Sequence, residues 1–158
     1  RDKHLCYINE AQLAVIDHVE LFVWNQDKYL ICFLFNCSLF NFIKELYGRS
    51  NLWLWVLKLE VIDWNKILIL NPNMMKSLCN KANDFFQERK NIWWNIIEEL
   101  WFDKNRDIRS QTPNPLPDRK ELDDIVFDEL WLTQEERNEV YWSLAELVQN
   151  RLNKAKSV

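Results

Sequence analysis

Glycine is almost missing from this 158-residue chain, which contains one glycine and nine tryptophans. Average usage is about 7%, so roughly eleven glycines are expected at this length. Helices commonly end on a left-handed residue, usually glycine, followed by an apolar residue that folds back on the last turn. Tryptophan stands at that point in residues 100–103 (Leu-Trp-Phe-Asp) and 130–133 (Leu-Trp-Leu-Thr). We therefore predict that Trp101 and Trp131 occupy C-cap glycine positions, with the following Asp or Thr capping the next element.

Tryptophan at positions typical of glycine suggests that the gene was translated with the wrong genetic code. Tryptophan is encoded by UGG and glycine by GGN, and some bacterial lineages read UGA as glycine. A table that reads UGA as tryptophan would then replace glycine throughout. Trp53 and Trp55, just after Gly48, are a further pair in a predicted loop. The alternative is a genuine tryptophan-rich core with few turns.

The chain also lacks paired cysteines and long apolar runs. Its four cysteines form no CxxC pair and have no histidine at ligand spacing, so a zinc site is not expected. The longest apolar stretch, residues 29–43, is interrupted by Asn36, Ser38 and Asn41, which favours a buried helix over a membrane span. We expect reduced thiols, a cytoplasmic location and no membrane partner. Since the chain begins with Arg1 and no signal peptide, it is interpreted as the C-terminal piece of a longer protein.

Charge is distributed unevenly along the chain. The net charge of −4 argues against a dedicated nucleic-acid-binding protein. Residues 28–60 nevertheless have a net charge of +2, whereas residues 118–140 contain nine acids and three bases. Because the acidic segment would be repelled by DNA, any DNA contact is expected in the first half.

Periodicity predicts an α+β fold in two parts. The first, residues 1–72, reads as a small mixed α/β unit, with a central helix over residues 28–47 that ends at Gly48. The second, residues 73–158, reads as a mainly helical tail. Its last helix begins with a capping box of Thr133 and Glu136 and has Val140, Leu144, Leu147 and Val148 on one face. The predicted strands are 5–8, 14–23, 56–62 and 66–70, the tail helices 74–89, 92–100, 122–130 and 133–154, and the proline-rich connector 103–118.

Residues 39–72 resemble the end of a target-recognition domain in large adenine-specific (N6) DNA methyltransferases of the type IIG restriction–modification class. The similarity is carried by Glu45-Leu46-Tyr47-Gly48-Arg49, by the apolar strand with lysine at 56–61 and by Ile69-Leu70-Asn71-Pro72. Segments 117–128 and 132–152 resemble the C-terminal part of the same enzymes. At positions 53, 55, 101 and 131 that family favours glycine, whereas Trp142 fits as a genuine tryptophan. The resemblance implies an S-adenosylmethionine-dependent parent enzyme that binds double-stranded DNA.

No catalytic site is recognised in the chain itself. Adenine methylation needs an S-adenosylmethionine pocket and an Asn/Asp-Pro-Pro-aromatic loop that grips a flipped adenine. Residues 71–74 contain one proline and no aromatic residue, so they read as a turn. His4 and His18 have no triad partners, and the acid pairs Glu98-Glu99 and Asp123-Asp124 are interpreted as solvated helix faces. No cofactor or metal is therefore expected to bind this chain, and the catalytic domain would lie upstream.

DNA contact is the remaining chemistry. Arg49, Ser50 and Asn51 follow the central helix, and Lys58 lies on the adjoining strand. Arginine reads guanine and asparagine reads adenine, whereas serine and lysine contact phosphate. The alternative for Arg49 is an ion pair with Glu45, one turn earlier. The sequence thus predicts a DNA-recognition fragment of a methyltransferase; the alternative is a non-enzymatic helical module whose acidic helices, 121–152, dock another protein.

Overall fold

The computed structural model describes residues 6, 8, 27–50, 57–58, 70–88 and 95–156. These residues are about 70% helical. The helices are α1 (Lys28–Asn36), α2 (Ser38–Tyr47), α3 (Cys79–Glu88), α4 (Ile96–Glu99), α5 (Pro117–Glu129) and α6 (Gln134–Lys156), with 3₁₀ turns at Lys76–Leu78 and Ile108–Ser110. Strands β1 (Arg49–Ser50) and β2 (Leu57–Lys58) pair antiparallel over two residues each.

The α+β prediction is wrong for the described residues, since they form a helical assembly with a single minimal strand pairing. The strand predictions rested on short apolar runs, which periodicity alone does not separate from buried helix or coil. Cys6, Ile8 and Leu70, the described residues at the ends of two such runs, have no regular secondary structure. Most of the remaining predicted strand residues lie outside the described part.

The predicted central helix is two helices that meet at Cys37. This residue is extended, with φ −67° and ψ 154°, and ends α1 while its Sγ accepts a hydrogen bond from the Phe40 N–H at 3.4 Å. The predicted burial is confirmed, because Leu30 to Asn36 are all buried. Within the described residues no single helix is long and apolar enough to cross a bilayer; α1 and α2 reach that length only together, bent by 68°.

Helix α5 lies between two groups of buried side chains. Leu122 and Val126 pack with α1, the start of α2 and α3, whereas Phe127 packs with α4 and α6. The predicted face of α6 is confirmed in part: Leu144 and Val148 are fully buried, and Val140 is half-buried in the same group. α5 thereby joins the two parts of the core, because neighbouring side chains on one helix face opposite groups.

Local signals set the helix ends of the tail. Thr133 Oγ1 accepts from the Glu136 N–H at 3.3 Å, and Glu136 Oε2 accepts from the Thr133 N–H at 2.8 Å. The predicted capping box is therefore confirmed, and α6 runs to Lys156. α5 begins at Pro117, five residues before its predicted start, as expected for proline in the first helical turn. The connector before it docks on α4, since the Leu116 N–H donates to the Glu99 carbonyl at 2.7 Å.

Candidate nucleic-acid interface

The predicted DNA-contact residues fall at the end of α2. The antiparallel register places Arg49 opposite Lys58 and Ser50 opposite Leu57. Three of the four predicted residues therefore belong to one two-residue ladder, brought together by the backbone. Asn51 lies outside the described residues.

The single glycine allows the two strands to approach closely. Gly48 ends α2 in an extended conformation, with φ −71° and ψ 145°, so left-handed freedom is not what this position requires. A Cβ at Gly48 would overlap the Leu57 side chain, with Cδ2 at 2.7 Å. Leu57 is itself buried. A side chain at position 48 would therefore require the Leu57 side chain to move.

A buried ion pair fixes α2 one turn before the ladder. Arg151, near the end of α6, donates from Nη2 to Glu45 Oε1 at 2.7 Å and from Nε to Glu45 Oε2 at 3.0 Å. Both side chains are almost fully buried. This two-point contact was not predicted, since the only partner that the sequence suggested for Glu45 was Arg49. The nearest local candidate was considered, whereas the observed partner lies 106 residues away.

A second buried group of charges stabilises the break between α1 and α2. Asp123 accepts from the Ser38 N–H and from its Oγ–H, each at 2.6 Å. Arg119 donates to the Asn36 carbonyl and to Glu99 Oε2, the latter at 2.6 Å. These side chains replace backbone hydrogen bonds that the break removes, since helix ends leave N–H and C=O groups unpaired.

The prediction that Glu99 and Asp123 lie on solvated faces is wrong, because their side chains are 3% and 0% exposed. In each acid pair the other member, Glu98 or Asp124, lies nearer solvent. No local pattern distinguishes the buried member from its neighbour. The sequence contained one signal, the polar Asn36-Cys37-Ser38 step inside an apolar run, which marks where buried polar partners are required.

Burial changes the titration of this group. It raises the pKa of Asp123 to about 6, although Arg119 and Ser38 act in the opposite direction. Burial also lowers the pKa of Lys44 to about 8; its Nζ donates to the Phe35 carbonyl at 3.4 Å. The pKa of Arg119 is lowered by burial, but Asp123 and Glu99 outweigh that effect and raise it. Asp123, Arg119 and Lys44 thus bind another charged side chain or a backbone group at a helix end. These contacts indicate a structural role for the three residues.

Much of the acidic charge in the tail is paired internally. Arg109 donates to Glu139 at 2.7 Å and to Glu146 at 3.0 Å, and Arg137 donates to Asp128 at 2.6 Å. Among the described residues no three or more His, Cys, Asp or Glu side chains are arranged to hold a metal ion. The acidic helices therefore interact with basic residues of the same chain.

Comparison of the chain with family models, with curated proteins and with solved structures gives no match.

Proposed function

We propose that this chain contributes DNA contacts to an adenine-specific DNA methyltransferase whose catalytic domain lies upstream. The observation that supports the proposal most directly is the register of the ladder, in which Arg49 is paired with Lys58 directly after a helix held by buried charges. The register makes two basic residues backbone partners, and basic residues are the ones that most often contact phosphate. Arg49 would read guanine or contact phosphate, Asn51 would read adenine, and Ser50 and Lys58 would contact phosphate.

The helical tail would act as the support for this contact. Arg151 binds Glu45 at the last turns of α2, and Asp123 holds the first turn through Ser38. With both ends of α2 fixed, the ladder that follows has a defined position relative to the tail. In this proposal the tail orients the DNA-contact residues and takes no part in chemistry.

The proposal predicts that the isolated chain does not methylate DNA. Neither the S-adenosylmethionine pocket nor the Asn-Pro-Pro loop is present in the sequence. The assay is transfer of a labelled methyl group from S-adenosylmethionine to DNA by the 158-residue chain. Methyl transfer above background would contradict the assignment of catalysis to an upstream domain.

The direct test is Arg49→Ala in the full-length protein, measured by binding to the cognate site and to single-base variants over a range of salt. A bidentate guanine contact should cost about 1–3 kcal/mol and relax preference at one base pair. A phosphate contact should weaken all sequences alike and reduce the salt slope by about 1. The test should be run with glycine at positions 53 and 55, the residue that the resembled family favours there.

Arg106→Ala is the matched control, because it removes the same charge from an exposed turn outside the ladder. It should leave affinity and specificity unchanged. If Arg49→Ala also leaves affinity, specificity and salt slope unchanged, Arg49 does not contact DNA and the proposed role of the ladder is contradicted. Target recognition would then belong to the upstream part of the protein, and Arg49 would have a structural role.

A further inference from the structure

Two tryptophans have a backbone conformation that bulky residues rarely adopt. Trp101 has φ 63° and Trp131 has φ 55°, and they are the only non-glycine residues with positive φ in the described part of the chain. A residue with a large side chain is a genuine outlier in this region, whereas glycine enters it freely. The single glycine, Gly48, has a negative φ. The conformations that require glycine are therefore found at tryptophan.

Both tryptophans stand at the same position of the same helix-ending motif. The Trp101 N–H donates to the Glu98 carbonyl at 3.0 Å, and the Phe102 N–H donates to the Ile97 carbonyl at 2.9 Å. This pair of bonds defines the Schellman motif, in which the left-handed residue is usually glycine. The next residue, Phe102, packs in the same buried group as Ile97, which is the apolar contact typical of the motif.

The motif at the end of α5 repeats this geometry. The Trp131 N–H donates to the Asp128 carbonyl at 3.1 Å, and the Leu132 N–H donates to the Phe127 carbonyl at 3.0 Å. Leu132 packs against the buried group that contains Phe127. Two independent helix ends thus require the same backbone conformation at a tryptophan.

The indole rings do not account for this conformation. Trp131 is 90% exposed and Trp101 is 64% exposed, so burial of the rings offsets little of the backbone strain. Trp142 differs in every respect: its Nε1–H donates to the Gln111 carbonyl at 2.8 Å, and its ring packs against the core. The side chain of Trp142 is therefore part of the packed structure. At Trp101 and Trp131 only the backbone conformation matters to the helix end.

We propose that the protein made in its own cells contains glycine at positions 101 and 131 and tryptophan at position 142. The codons at 101 and 131 are then UGA, read as glycine by the source organism, and the codon at 142 is UGG. The inference does not depend on the proposed function, since it rests on backbone geometry alone. It also means that the two most exposed tryptophans of the described surface are not a docking patch.

The test is peptide mass spectrometry of the protein purified from its source cells. Trypsin, which cleaves after lysine and arginine, gives the adjacent peptides 121–137 and 138–151, each with a single tryptophan in the printed sequence. Peptide 121–137 should be lighter by the mass difference between tryptophan and glycine, whereas peptide 138–151 should have its printed mass. Fragment ions of peptide 91–104 locate the same change at residue 101.

Sequencing the gene provides an independent readout. UGA at codons 101 and 131 together with UGG at codon 142 is the expected result. Tryptophan at residue 101 or 131 in the purified protein, or UGG at either codon, would overturn the proposal. Glycine at residue 142 would also overturn it, because the structure would then fail to distinguish Trp142 from the other two tryptophans.

Discussion

Replacing Trp131 with glycine should stabilise the protein, and the structure gives the size of the effect. The left-handed conformation costs a residue with a side chain about 1–2 kcal/mol. Glycine removes that cost but increases the freedom of the unfolded chain, which lowers the gain by about 0.4–1 kcal/mol. Since the ring of Trp131 is 90% exposed, its loss adds almost nothing. The expected net gain is about 1 kcal/mol, or a rise of about 2–4 °C in the melting temperature for a chain of this size.

Trp101→Gly should give a smaller rise, because the Trp101 ring is 64% exposed and loses some packing when it is removed. The two changes should add, since they act at the ends of different helices. Trp131→Ala is the matched control: it removes the ring but keeps the Cβ, so most of the backbone strain should remain. Trp142→Gly should lower stability by about 2–4 kcal/mol, because a packed, hydrogen-bonded ring is lost.

The measurement is thermal and urea unfolding of the four single variants and of the Trp101→Gly, Trp131→Gly double variant beside the parent chain. Equal stabilisation by Trp131→Ala and Trp131→Gly would show that the ring, not the backbone conformation, is responsible. A fall in stability for both glycine variants would show that the indoles belong to the native structure. Either result would refute the argument from positive φ.

Three further changes test the packing around α2, each by denaturant unfolding. Gly48→Ala should lower stability by about 1–3 kcal/mol, because its Cβ would overlap Leu57. In a chain that already contains Leu57→Ala, the same change should lower stability by less. Arg151→Met should cost about 3–5 kcal/mol by leaving the Glu45 carboxylate buried without this partner, and adding Glu45→Met should recover much of the loss. Because the pKa of Asp123 rises from 3.8 to about 6 on folding, the protonated carboxyl group stabilises the fold fully below pH 4. This stabilisation is lost as pH rises through 6. The free energy of unfolding of the parent should therefore fall by on the order of 3 kcal/mol over this pH range, relative to that of Asp123→Asn.

Each of these changes has an outcome that contradicts its reasoning. Strict additivity of Gly48→Ala and Leu57→Ala would show that the two side chains do not meet. A double Arg151 and Glu45 variant as unstable as the single one would show that loss of this ion pair's charge balance is not the cause. Parallel pH profiles for the parent and the Asp123 variant would show that this carboxyl group titrates normally in the folded chain.

Sequence reasoning was accurate where the signal was local. The capping box of Thr133 and Glu136 and the left-handed C-cap positions of Trp101 and Trp131 are confirmed. Each depends on residues within about one helical turn, and the geometry of a helix end restricts which residue types can occupy it. The same reasoning located α6 closely at both ends.

Sequence reasoning failed where the partner was distant. Asp123 and Ser38 are separated by 85 residues, so nothing near either residue in the sequence indicates that the two form a buried hydrogen bond. The paired acids were assigned to solvent because most charged helix residues lie there. The α+β prediction failed for a related reason: short apolar runs were read by local pattern, whereas tertiary packing decides their conformation. The DNA-contact residues and the boundary at residue 72 stay predictions.

The buried charges connect the tail to the candidate interface. Salt bridges between buried groups often contribute less to stability than well-packed apolar groups would, because both charges lose their hydration. Here Asp123 and Arg151 hold opposite ends of α2, and both come from the tail. Apolar contacts alone would bury the same helix but would restrict its rotation and translation less strictly. Since Arg49 follows α2 after Gly48, a helix fixed at both ends determines where the ladder begins.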